Sequence, residues 1–176
     1  KLLANAEPNS IVGAAMTAAT LNLPLNNSLG YAYIIPFNER QSDGQYIQKA
    51  QFQIGYKGFI QLAMRSNQFK TIHTTDVKRG EIISRDRLTG IIDFEFELDD
   101  KKRNELETIG YVAYFKLTNG YEATLFMSME ELNNHGKKFS QTFKKNFGLW
   151  KDDFDSMAKK TVLKLLLSKY APLSID

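Results

Sequence analysis

The chain has 176 residues, 43% of them hydrophobic, and a formal net charge of +3. That length and apolar content suffice for one domain with a sizeable core, and the expected organisation is a single domain over residues 1–176. With no cysteine, disulfides and thiolate metal sites are excluded. No apolar run approaches the roughly 20 residues that span a bilayer, and Ile11 to Leu23 lacks the basic leader of a signal peptide, so the expectation is a soluble protein. The first residue is Lys1 and not an initiator methionine, which points to the ordered part of a longer chain.

In chain order, Asn9 or Ser10 is placed to cap a small-residue helix reaching about Thr20, ended by Leu23 and Pro24. Tyr31 to Phe37 and Tyr46 to Ile54 read as two strands of a hairpin, with Asp43-Gly44 in the turn. After Gly55 the apolar period changes. Phe59, Ile60, Leu62 and Ala63 recur at helical spacing, which predicts a short helix over residues 56–66.

The middle is rich in β-branched and aromatic residues. Strands are predicted over 70–78, 81–84, 91–98, 109–117 and 121–127, with a charged turn from Asp99 to Glu107 and a type I′ hairpin at Asn119-Gly120. Ser128 and Glu131 have the spacing of a capping box for a helix ending near Gly136. A basic loop follows. Residues 153–170 form the strongest helix pattern, apolar through Phe154, Met157, Ala158, Val162, Leu165 and Leu166. Strands grouped before a long C-terminal helix, without βαβ alternation, predict an α+β fold with antiparallel sheet and hairpins.

Charge is segregated along the chain. Residues 49–87 hold eight basic against three acidic side chains, residues 137–169 nine lysines against three aspartates, and residues 93–107 seven acids against three bases. Such separation can build one strongly positive surface despite the modest total, or two solvated faces pointing in unrelated directions. The acidic stretch is either a solvated turn or a surface for a neighbour's basic face.

Enzymatic motifs are sparse. There is no GxxxxGK[ST], and the segment from Gly55 to Gly58 is too short to wrap a triphosphate, which argues against nucleotide-driven chemistry. His73 and His135 lie 62 residues apart, with no partner at metal-binding spacing. Asp93, Glu95 and Glu97 alternate with Phe94 and Phe96, so a strand there would present three carboxylates on one face. A two-metal nuclease could use that geometry, and so could the wet side of a half-buried strand.

Basic and aromatic residues are interleaved more distinctively. Lys57 and Arg65 lie eight residues apart on the predicted helix, about two turns and within roughly 80° of each other, so both can reach phosphates of one strand. Tyr56 and Phe59 are close enough to offer a ring to a base, or to pack in the core. On the C-terminal helix Lys159, Lys160 and Lys164 interrupt an apolar surface. Lys160 and Lys164 share a face, which suits a groove better than a core helix. The loop before it sets Lys137, Lys138, Lys144 and Lys145 among Phe139, Phe143, Phe147 and Trp150, a texture suited to single-stranded nucleic acid or to aromatics folded back on the core.

Residues 51–66 (QFQIGYKGFIQLAMRS) and 157–175 (MAKKTVLKLLLSKYAPLSI), with 23–37 (LPLNNSLGYAYIIPF), resemble the RecT family of phage and prophage single-strand annealing proteins. The likeness runs through nearly the whole chain and is weakest over 78–117 and 139–150. It implies a non-catalytic, cofactor-free protein that binds single-stranded DNA and pairs it with its complement in homologous recombination. It also implies rings or helical filaments, a bacterial cytoplasmic location, and a phage exonuclease and host single-strand-binding protein as partners. Lys57, Arg65, Lys159 and Lys160 fall in the best-matching segments. The competing classes are a metal-dependent nuclease on the Asp93, Glu95 and Glu97 face and a passive protector of single strands.

Overall fold

The computed structural model describes residues 3–140, 143 and 149–172. They divide into two compact units, one reaching to Asn67 and taking in Pro172, the other Gln68–Ala171. Every strand pairing is antiparallel, and helices pack on the sheets, so the fold is mixed α+β.

In the first unit, helix α1 (Pro8–Thr20) lies on a hairpin of β1 (Ala32–Arg40) and β2 (Tyr46–Ile54), followed by α2 (Tyr56–Arg65). Neither Asn9 nor Ser10 caps α1. The helix starts two or three residues earlier, at Pro8, whose missing N–H costs nothing in the first turn. The Ser10 hydroxyl instead donates to the Glu7 carbonyl (2.6 Å) and accepts the Ala50 N–H (2.8 Å), tying the helix to β2. At its other end Asn22 takes a left-handed conformation (φ 47°). The N–H groups of Asn22 and Leu23 return to Ala19 and Ala18, a Schellman-type stop that buries Leu23.

The hairpin pairs Ala32 with Ile54 through Arg40 with Tyr46, and its turn has Gly44 at φ 85°, as the Asp43-Gly44 pair implies. Between β2 and α2 the Gly55 N–H donates to the Tyr31 carbonyl (2.8 Å). The same carbonyl oxygen lies where a side chain on Gly58 would begin, so α2 seats this closely only with glycine there.

The second unit is built on the sheet order β3-β6-β7, from β3 (Phe69–Lys78), β6 (Thr108–Leu117) and β7 (Glu122–Ser128). A small hairpin of β4 (Ile82–Arg85) and β5 (Ile92–Phe94) lies over one face, where Val77, Val112 and Phe126 pack against Ile82, Ile92 and Phe94. Among the described residues, helices α3 (Asp100–Glu105), α4 (Met129–Phe139) and α5 (Leu149–Asp152) precede the long α6 (Phe154–Tyr170). Helix α6 packs on β6, β7 and β3, and both α4 and α6 rest on β6 and β7.

Four local expectations need correction. The strand expected over 91–98 stops at Phe94, because beyond it the chain is held by Glu81: Glu95 N–H donates to its carbonyl (2.9 Å) and Glu97 N–H to its carboxylate (3.3 Å). The three carboxylates therefore share no continuous strand face. The charged turn contains α3, capped by the Asp99 side chain. At Asn119-Gly120 only Gly120 has positive φ (91°), and the Leu117 N–H meets the Tyr121 carbonyl, the pattern of a three-residue loop rather than type I′. The Ser128–Glu131 capping box forms, but α4 runs past Gly136 to Phe139.

One ionic cluster ties these parts together. Glu81, 2% exposed, accepts from the Lys78 N–H (2.7 Å) and from Arg103 Nε (2.6 Å), while Arg103 also reaches the Asp76 carboxylate (3.2 Å) and carbonyl (2.9 Å). Lys78 Nζ meets Asp76 (3.2 Å) and Thr108 (2.8 Å). Burial pushes the Glu81 and Asp76 carboxyls up, but hydrogen bonds and charge from Arg103, joined at Asp76 by Lys78 Nζ, outweigh it and hold both below the usual range.

A depressed carboxylate pKa stabilises the fold above the unfolded-state value and loses that contribution as pH falls through the folded value. The thermal transition should therefore drop as pH is lowered below about 4. Arg103→Met, which leaves Glu81 buried without its cation, should cost roughly 3 kcal/mol or more at neutral pH. In that variant the Glu81 carboxyl is raised instead, so mild acid should recover part of the loss. Circular dichroism melts of both proteins across pH 3–8 check the sign.

Candidate nucleic-acid interface

Helix α6 fixes the basic residues of the second unit through the face it buries. Ala158, Val162, Leu163, Leu166 and Leu167 are fully buried, so the lysines between them must emerge at the margin. Lys159 pairs with Asp155 one turn earlier (2.7 Å), an exposed ion pair of small net value that another anion can replace. Lys160 is half-buried: desolvation first, then the neighbouring Lys164 ammonium, hold it below the usual lysine range. Lys164, one turn on, is exposed.

Helix α4 contributes from its last turn. Lys137 and Lys138 are exposed at its C-terminus, where the helix dipole favours cations. The Lys138 ammonium lies 5.1 Å from the centre of the Phe139 ring, and His135 packs on the same ring at 4.7 Å. Burial lowers the His135 pKa, and Lys164 and Lys138 lower it further. Every charged neighbour that shifts His135 or Lys160 is thus a lysine. The two helices bring positive charge together, and a bound polyanion would relieve the repulsion.

The other expected site residues are placed differently. Lys144 and Lys145 lie outside the described residues. Trp150 is 8% exposed, its ring edge-on to Phe143 (5.2 Å) and Phe154 (5.6 Å), with Phe154 in turn 6.3 Å from Tyr111 on β6. This aromatic chain anchors α5 and α6 to the sheet, and Trp150 has no face open to a base. The Phe143 ring also lies against Gly136, where a side chain on α4 would collide with it.

In the first unit Lys57 is exposed on α2, Tyr56 is half-buried, and Phe59 is in the core. The Arg65 guanidinium donates to the Leu21 and Asn22 carbonyls (2.8 Å each), closing the C-terminal end of α1. Asp93 is engaged by Ser84 and Glu97 by the Asp99 N–H. Among the described residues, no group of three or more His, Cys, Asp or Glu is placed to hold a metal ion. Nor is any described helix long and apolar enough to cross a membrane.

His135 and Phe139 are brought together by the last turn of α4. Their i,i+4 spacing was a usable signal, but it carries meaning only if the helix continues beyond Gly136.

The profile of the RecT family matches residues 1–176. The chain belongs to the RecT family. It is 44% identical over its full length to the uncharacterized protein YqaK of Bacillus subtilis (strain 168), covering 56% of that protein. It is 32% identical over 184 aligned positions to Protein RecT of Escherichia coli (strain K12), covering 99% of this chain and 62% of the relative. This RecT-family chain therefore spans about three-fifths of the length of these relatives.

Two of the expected contacts should behave as structural residues. Trp150→Ala should cost roughly 3–5 kcal/mol of stability, as large-to-small changes in an aromatic core do. Arg65→Ala, which frees two carbonyls from a charged donor, should cost roughly 1.5–3 kcal/mol, whereas Lys57→Ala should stay within about 0.5 kcal/mol. Urea unfolding of the three variants measures each.

Proposed function

We propose that this chain is the core of an ATP-independent single-strand annealing protein, which binds single-stranded DNA and pairs it with a complementary strand during homologous recombination. Both units belong to that one annealing core. The observation that carries the reading is the convergence of Lys138 and Lys164 on His135 from two helices, with Lys160 beside Lys164, in a chain of the RecT family. Phosphate repulsion is the physical obstacle to joining two strands. A surface that neutralises phosphates lowers it without covalent chemistry, metal or nucleotide.

Contacts to phosphates carry no sequence information, which suits a protein that must pair any complementary strands. Lys57, Lys137 and Lys159 extend the same chemistry as exposed or replaceable cations. Self-assembly into rings or filaments would repeat the basic surface along the DNA. A phage exonuclease that supplies single strands, and a host single-strand-binding protein, are fitting partners in a bacterial cytoplasm.

Mixing complementary labelled oligonucleotides with the protein and no nucleotide should accelerate pairing, read by fluorescence quenching. Coverage of the strands without acceleration would instead mark a passive protector, and shortening of the strands with Mg²⁺ a nuclease. Lys160→Ala combined with Lys164→Ala should weaken binding for all sequences alike. It should also reduce the slope of log affinity against log salt by about 1.4, near 0.7 for each lost contact to a single strand.

A further inference from the structure

Phe139 is 66% exposed at the end of α4. A single apolar side chain at the surface is ordinary. Its surroundings are less so: the ring is bracketed by His135 at 4.7 Å and by the Lys138 ammonium at 5.1 Å from its centre. Those flanks restrict the ring's orientation while most of it stays in water. Helix geometry puts His135 and Phe139 one turn apart on one side of α4, and α6 brings Lys164 to the same imidazole.

A phenyl face held beside three cationic or cationisable groups has the composition of a nucleotide site. The ring can stack on a base of any identity, and the neighbouring N–H groups can donate to the phosphate. We propose that Phe139, His135 and Lys138 form a base-stacking platform, in which one DNA base lies on the Phe139 ring and the His135 imidazole, as its cation, holds an adjoining phosphate. This rests on the single-strand annealing reading above and adds to it the Phe139 ring and a charged state of His135.

A proton balance follows. In the free protein burial lowers the His135 pKa, and Lys164 on α6 and Lys138 on its own helix lower it further; no charged residue of β6 or β7 is among the groups that shift it. A phosphate set among those groups favours the imidazolium, so DNA binding takes up a proton and tightens as pH falls.

The test uses a short single strand carrying 2-aminopurine, with anisotropy reporting affinity and 2-aminopurine emission reporting stacking, from pH 5.5 to 7.5. The intact chain should bind several-fold more tightly at pH 5.5 and quench the probe. Phe139→Leu should lose about tenfold in affinity and the quenching, with an unchanged melting transition, while Phe139→Tyr should keep both. His135→Gln should bind more weakly than the parent at pH 5.5 and lose the pH dependence. Parent-like quenching in Phe139→Leu, or a pH dependence that survives His135→Gln, would overturn the platform while leaving the annealing reading intact. If the parent binds no single strand at any pH, both fall.

Discussion

The packing of α6 against the β3-β6-β7 sheet is the constraint on which the second unit depends. Ala158, Val162, Leu163, Leu166 and Leu167 are removed from water on one side, and the Tyr111–Phe154–Trp150–Phe143 chain of rings secures the helix entrance. Burying five such side chains is worth several kcal/mol, enough to dictate the helix phase. Once that phase is set, Lys160 is carried to the edge of the buried face and loses part of its hydration, with Lys164 beside it. The positive surface is thus a consequence of apolar packing a few ångströms away.

Much of the charge between Asp76 and Glu107 is consumed locally, Arg103 by Glu81 and Asp76, Lys78 by Asp76, and Glu107 by Arg79. Such an internal cluster adds little net stability over an apolar alternative, but losing one member leaves a buried charge unpaired. It also binds the chain after Phe94 to the sheet, through the N–H of Glu97 and the backbone of Asp76. The acidic stretch is therefore partly a structural strap, and the charge segregation seen along the chain is less than a map of its surface.

What could be read from residue order was what local rules decide. The Asp43-Gly44 turn set the first hairpin, Ser128 with Glu131 set the start of α4, and apolar periodicity found α6 to within a residue. What could not be read depended on distant partners. Arg65 has the look of a phosphate contact until its acceptors appear, two carbonyls more than forty residues upstream. Trp150 in a basic-aromatic run looks the same in sequence whether its ring faces DNA or Phe154. Gly136 resembles a helix stop, yet it is glycine because the Phe143 ring occupies the space of a side chain. Mistaking that glycine hid the turn that carries Lys137, Lys138 and Phe139.

The basic residues separate by what already satisfies them, and the separation explains how a chain of small net charge can serve a polyanion. Arg65 and Arg103 are committed to carbonyls and buried carboxylates, and moving them would dismantle local structure. Lys49, Lys78 and Lys159 hold carboxylates of their own, the last at an exposed site where exchange for a phosphate changes little. The two charges that shift His135, those of Lys164 and Lys138, are both positive, and like charges held together raise the free energy of the protein. A phosphate backbone lowers that energy wherever it approaches, whatever bases it carries. A polyanion bound there would be held by charge and a ring face, neither of which differs among bases.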